Sequence, residues 1–241
     1  MKEYLNHILA QISVELNTVD IEECNISMDE AIRMIEFLQS VLRELRERFL
    51  QCNSISIQDE IHFFKETKPR ILSWLLYFNK VYTIELKRPN GSNIIQKNYY
   101  ENELDSLTFY FNRNLDFYQY YRSCSTHLDE FYFVRGKINI RLCVDSSMFI
   151  SDTKFSTGYD FKAAKILSNE ILRIYLNKRL QHVDRVCGYG CESSPGRLRN
   201  KWTGSKAAAI ELGYGLYAAR VIDNGNADIR DIMMGIEKLL T

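Results

Sequence analysis

The stretch from Lys97 to Arg135, KNYYENELDSLTFYFNRNLDFYQYYRSCSTHLDEFYFVR, is crowded with aromatic side chains. Leu104, Leu107, Phe111, Leu115, Tyr118 and Arg122 recur at steps of three and four, which lays one apolar face along a helix. Tyr110, Phe117 and Tyr121 widen that face beyond the narrow seam of a coiled coil. Each ring removes a large area from water when buried, and each phenol still needs a partner or a wet edge. A helix of this kind must be surrounded by other helices. The competing reading of so many rings is a platform on which bases stack. Glu101, Glu103, Asp105 and Asp116 sit among the rings and would repel a phosphate backbone, which favours a bundle core.

The rest of the chain supplies those neighbouring helices. Leu5, Ile8, Leu9, Ile12 and Leu16 form a helical stripe near the amino terminus. Ser27-Met28-Asp29-Glu30 has the spacing of a capping box. It opens a second helix whose apolar residues read as Ile32, Ile35, Leu38, Leu42, Leu45 and Phe49. A third helical run from Ile57 to Tyr82 contains Pro69, which should kink or divide it. Lys87 to Ser92 is a turn before the aromatic helix, which is expected to end near Ser123. Leu38, Leu42, Leu75, Phe78, Leu107, Phe111 and Leu115 are the expected interior. Only three prolines and 11 glycines occur in 241 residues, so long helices are favoured over a many-turned β fold.

The texture changes at Gly136. Residues 136–150 alternate apolar and polar through Ile138, Ile140, Leu142 and Val144, as in a short strand. A helix resumes at Phe161 and carries apolar residues to Leu180. Residues 181–203 are the least helical part of the chain and are locally basic. Two short helices follow, from Ser205 to about Val221 and from Asp228 to Leu240, separated by the Asp223-Asn224-Gly225 turn. The organisation expected is mainly α: a helical bundle over 1–140, then a smaller helical region over 141–241.

Function is constrained largely by exclusion. Formal net charge is zero, so any nucleic-acid contact must rest on a local basic patch. The amino terminus does not read as a signal peptide and no stretch is long enough to span a membrane, which points to the cytoplasm. Six scattered cysteines are then most simply free thiols. His182 with Cys187 and Cys191 lacks a fourth metal ligand. No nucleophile elbow or phosphate loop is present, so neither catalysis nor a cofactor is expected. Gly213 and Gly215 read as places of close helix approach.

One segment stands out. RLRNKWTGSK, residues 197–206, carries Arg197, Arg199, Lys201 and Lys206 without an acidic residue, and Ser205 opens a helix behind it. A basic arm feeding a helix start suits phosphate binding, and two short helices with a turn suit a helix-turn-helix or winged-helix module. The same residues also suit a solvated loop followed by a helical hairpin.

Three longer stretches decide between folds more sharply. YYENELDSLTFYFNRNLDFYQYYRS with HLDEFYFVRGKINIRL, then FSTGYDFKAAKILSNEILRIYL, then WTGSKAAAIELGYGLYAARVIDNGNADIRDI together resemble the RteC family. The resemblance runs from about Tyr99 to Leu240. It implies a two-domain, largely helical protein with a winged-helix-like carboxy-terminal part. It further implies an activator that binds double-stranded promoter DNA and controls excision and mobilisation genes of a conjugative transposon, below a tetracycline-responsive two-component system. Members of the family continue past the Asp-Ile-Arg-Asp-Ile helix into a further helix and basic tail, whereas this sequence ends at Thr241. The second reading is accordingly a helical module that binds a protein partner and no DNA.

Overall fold

Ser27 and Glu30 form the expected capping box. The Ser27 backbone N–H donates to Glu30 Oε2 at 2.8 Å, and the Glu30 N–H donates to Ser27 Oγ at 3.2 Å. The helix behind it is one of ten in the computed structural model, which describes residues 2–21, 26–52, 54–136, 152–187, 205–222 and 227–240. In order these are α1 Lys2–Leu16, α2 Met28–Gln51, α3 Ile57–His62, α4 Lys68–Lys87, α5 Asn93–Arg113, α6 Leu115–Arg122, α7 Asp129–Phe133, α8 Tyr159–Cys187, α9 Lys206–Ala218 and α10 Ile229–Leu240. No strand occurs among the described residues, and the alternating segment at 137–150 lies outside them.

Pro69 divides the third helical run, by a specific route. A π-helical turn, Phe63–Thr67, joins α3 to α4, and the Lys68 N–H donates to the Phe63 carbonyl five residues back. Proline has no N–H for the carbonyl four residues earlier, that of Lys65. The Tyr121 hydroxyl supplies the missing donor to Lys65 O at 3.0 Å. The aromatic segment thereby repairs the backbone of the helix it packs on.

That segment is broken as well. Asn114, at φ −115° and ψ 28°, ends α5 and begins α6. The break shifts the helical phase, so Phe117 and Tyr120 are buried while Leu115 is 45% exposed, against its expected place in the core. Phe117 is a hub: its ring lies 5.2 Å from that of Tyr132 and 5.3 Å from that of Tyr159. Leu38, Phe78 and Leu107 are buried as expected, and Leu42, Leu75 and Phe111 are partly buried against the same core. On α2 the buried face is Ala31, Met34, Leu38, Val41, Leu45 and Phe49. Ile32 is exposed, because this face runs at steps of three and four from Ala31, one residue earlier.

Two helices distant in sequence are fastened at both ends. At their amino ends, Lys68 of α4 and Asp160 of α8 form a buried ion pair, and Lys68 Nζ also donates to the Phe155 carbonyl. Asp160 Oδ1 accepts from Ser156 Oγ at 2.7 Å and from the Thr157 N–H at 3.1 Å, while the Asp160 N–H donates to Thr157 Oγ1 at 3.3 Å. The same aspartate thus anchors Lys68 and closes a reciprocal cap at the start of α8. Towards their carboxyl ends, Glu85 of α4 accepts from the Tyr175 hydroxyl at 2.7 Å, the Tyr100 hydroxyl at 3.1 Å and Arg179 at 2.9 Å. With like ends paired, α4 and α8 run parallel.

The chain divides into two compact units, Met1–Gly190 and Cys191–Thr241. The sequence reading placed its boundary at residue 140 instead. The difference lies in α8, whose Ala163, Ile166, Leu172, Tyr175 and Leu176 are buried in the core of the first unit. The helix also continues to Cys187, through residues 181–187 that read as irregular. In the second unit α9 packs on α10, with Ala209 and Ile232 buried and Leu216, Ala227 and Met233 against them.

Candidate nucleic-acid interface

Serine at the start of α9 does what its position predicts. Ser205 has extended backbone, φ −69° and ψ 158°, and its Oγ accepts from the Ala208 N–H at 3.2 Å. Its carbonyl accepts from Ala209 at 3.3 Å and so begins the helical ladder. The N–H groups of Lys206 and Ala207 precede that ladder and have no partner within the helix. The aligned peptide dipoles favour an anion at this end. Lys206 is exposed in the same turn. The helix start and its lysine are therefore compatible with a phosphate. Arg197, Arg199 and Lys201 lie outside the described residues.

The two glycines of α9 differ. Gly213 is buried, as close approach to another helix requires. Gly215 is exposed, and a Cβ built there would meet nothing within 4 Å, which corrects its reading as an approach site. Ala209 and Gly213, four residues apart, turn the small side of α9 inward. The large side faces out: Ile210, Tyr214 and Tyr217 are exposed on a stripe that begins at Lys206. The close approach expected at Gly213 is met, and Ala209, one turn earlier, shares that packing face.

Base edges are read chiefly by Arg, Lys, Asn, Gln, Asp and Glu. The charged side chains of α9 are Lys206 and Glu211, both exposed, so α9 offers few such groups. At the far end Ala219 is helical while Arg220 adopts φ +50°, the left-handed conformation that commonly stops a helix.

Elsewhere, His182 stands exposed on α8, and Cys191 lies outside the described residues. Among the described residues no three His, Cys, Asp or Glu side chains gather in a metal-binding arrangement. Cys52 is half-buried and Cys124 exposed, both as free thiols. No helix among the described residues is long and apolar enough to cross a membrane.

A family model described as RteC protein matches residues 62–241. No curated protein and no solved structure matches the chain.

Proposed function

The chain belongs to the RteC family, regulators associated with conjugative transposons, and from that membership we propose that it activates excision and mobilisation genes of such an element by binding their promoter DNA. The DNA contact is assigned to the second unit, as a winged-helix-like module. Arg197, Arg199, Lys201 and Lys206 neutralise phosphates, and Ser205 and the first turn of α9 hold register. The protein acts in the cytoplasm, downstream of a tetracycline-responsive two-component system, without catalysis, cofactor or membrane attachment. The observation that carries this reading is the extent of the family match, which runs through α9 and α10 and takes in the whole second unit.

A gel shift on the element's own promoter tests it directly. Specific binding is expected to survive an excess of unrelated duplex. Binding that unrelated duplex removes equally is the sequence-independent kind. Failure to bind at low salt removes the reading.

One observation favours a second reading, a helical module that binds protein and no DNA. Ile210, Tyr214 and Tyr217 place an exposed apolar stripe on a helix poor in base-reading groups. Under that reading Tyr214→Ala and Tyr217→Ala abolish capture of a regulatory partner, while charge removal at Arg197 and Arg199 leaves it intact.

A further inference from the structure

In the first unit a cleft of about 400 Å³ lies between α1 and the facing turns of α4 and α8. It is left open because α1 packs chiefly on α2. Leu9, Leu16, Trp74, Leu167 and Ile171 line it and are only partly buried, so each has surface left to meet a ligand. Ile12 and Ile71 line it as well and are buried. The Trp74 ring is steadied by Tyr77, edge-on at a centroid distance of 5.7 Å, and by Phe78 at 6.2 Å. The hydroxyls of the lining are already engaged by their own helices. Ser13 Oγ donates to the Leu9 carbonyl at 2.9 Å, and Ser73 Oγ donates to the Arg70 carbonyl at 2.8 Å. Two charges complete the lining, Arg70 and Glu170, and they are of opposite sign. Every residue of the lining belongs to α1, α4 or α8 and is described.

We propose that this cleft binds a small uncharged aromatic molecule of two to three rings. Its volume falls within the range of small-molecule sites, which are lined mainly by apolar and aromatic side chains. A flat ring entering it gains offset or edge-on contact with the indole of Trp74, and the leucine and isoleucine side chains cover its remaining surface. A charged ligand fares worse on two counts. It gives up its hydration to enter among aliphatic side chains, and whichever sign it carries, either Arg70 or Glu170 repels it. An uncharged ring pays neither cost. Selectivity therefore comes from the apolar lining and not from a charge. The cleft lies in the first unit, and the proposal does not depend on the DNA reading.

Trp74 also makes occupancy measurable. The chain has two tryptophans, so in the full chain carrying Trp202→Phe it is Trp74 alone that emits. N-phenyl-1-naphthylamine is uncharged, accepts excitation from tryptophan and brightens on leaving water. It is expected to quench Trp74 saturably, with half-saturation below about 100 μM. Its sulfonated analogue, 8-anilino-1-naphthalenesulfonate, should need about tenfold more. A probe bound elsewhere in the unit would also drain Trp74, so its place is read from two variants on different helices. Ser13→Phe fills the cleft from α1, and Ser13 is exposed, so the added ring costs the fold little. Leu167→Glu puts a third charge into the lining from α8. Each should raise the half-saturation concentration about tenfold while the helical circular dichroism is unchanged, and if one does not fold the other decides. No saturable quenching, equal affinity for the sulfonate, or unchanged affinity in a folded variant each overturns the proposal.

Discussion

The two units solve the problem of their polar groups in opposite ways. In the first unit charges go inside and are paired there. Lys68 with Asp160, Lys65 with Asp129 and the Tyr120 hydroxyl, and Arg135 with Glu60 all form part-buried or buried networks. In the second unit the described polar groups stay at the surface, and large apolar side chains join them there. The first unit is a scaffold whose helices are specified by partners about 90 residues away in sequence, as Lys68 and Asp160 are. Among its described residues the second is a helical pair that carries exposed apolar side chains on α9. Sealing polar groups costs desolvation but ties register to particular pairs, whereas an exposed stripe costs little and leaves recognition open.

The largest test of that contrast is to break a buried pair. Lys68→Met leaves Asp160 without its cation and is expected to destabilise the first unit by about 3–5 kcal/mol, read from urea denaturation. Combining it with Asp160→Leu should recover much of that loss, since the isolated buried charge is then gone. If Lys68→Met alone costs less than 1 kcal/mol, the pair does not hold α4 to α8.

At the other end of the same helices, Tyr175→Phe removes a hydrogen bond to the Glu85 carboxylate. A loss of about 1.5–3 kcal/mol is expected, and it should appear in the same unfolding transition. Tyr121→Phe uncovers the Lys65 carbonyl that Pro69 leaves without its helical donor, and should cost about 1 kcal/mol. A negligible effect at Tyr121 would mean that water replaces the phenol.

Alkali should separate the units more gently. Burial pushes Tyr99 and Tyr121 up to about 12, with neighbouring carboxylates adding to the effect, and burial raises Tyr120 and Tyr175 too. A folded-state value above the unfolded one, near 10, means that these phenols stabilise the fold fully below pH 10. That contribution is lost as pH climbs towards 12. Tyrosinate absorbance and circular dichroism should therefore change together across that interval. Early titration of Tyr99 and Tyr121 without unfolding would contradict their burial.

The smallest expected effect lies in the second unit. Arg220 sits at φ +50°, where an L side chain is strained and glycine is not. Arg220→Gly should stabilise the end of α9 by about 1 kcal/mol, measured by thermal melting.

Much of the first unit was legible because its signals are local. Ser27 with Glu30 announced α2, Pro69 announced a division, and the three-four repeats announced the bundle. What stayed hidden depends on tertiary partners. Nothing near Asn114 marks it as a break, so the phase of the aromatic segment, and with it Leu115, was misplaced. The Lys65 carbonyl, which Pro69 leaves without a helical donor, is met by Tyr121, fifty-two residues beyond the proline, and no local pattern joins the two. Residues 181–187 looked irregular because Gln181, His182 and Asp184 interrupt the apolar repeat, yet Val183 is buried and the helix continues. In the candidate interface Ser205 was readable as a cap, whereas the outward stripe of α9 depends on Ala209 packing against Ile232 of α10, a tertiary contact with no local signal.

Whether the second unit meets DNA through its basic arm is decided by the salt dependence of promoter affinity. Each phosphate neutralised contributes about 0.9 to the slope of log affinity against log salt. Arg197→Ala with Arg199→Ala should therefore flatten the slope by nearly two and weaken promoter and unrelated DNA alike. An affinity and slope unchanged from those of the unaltered protein would contradict the claim.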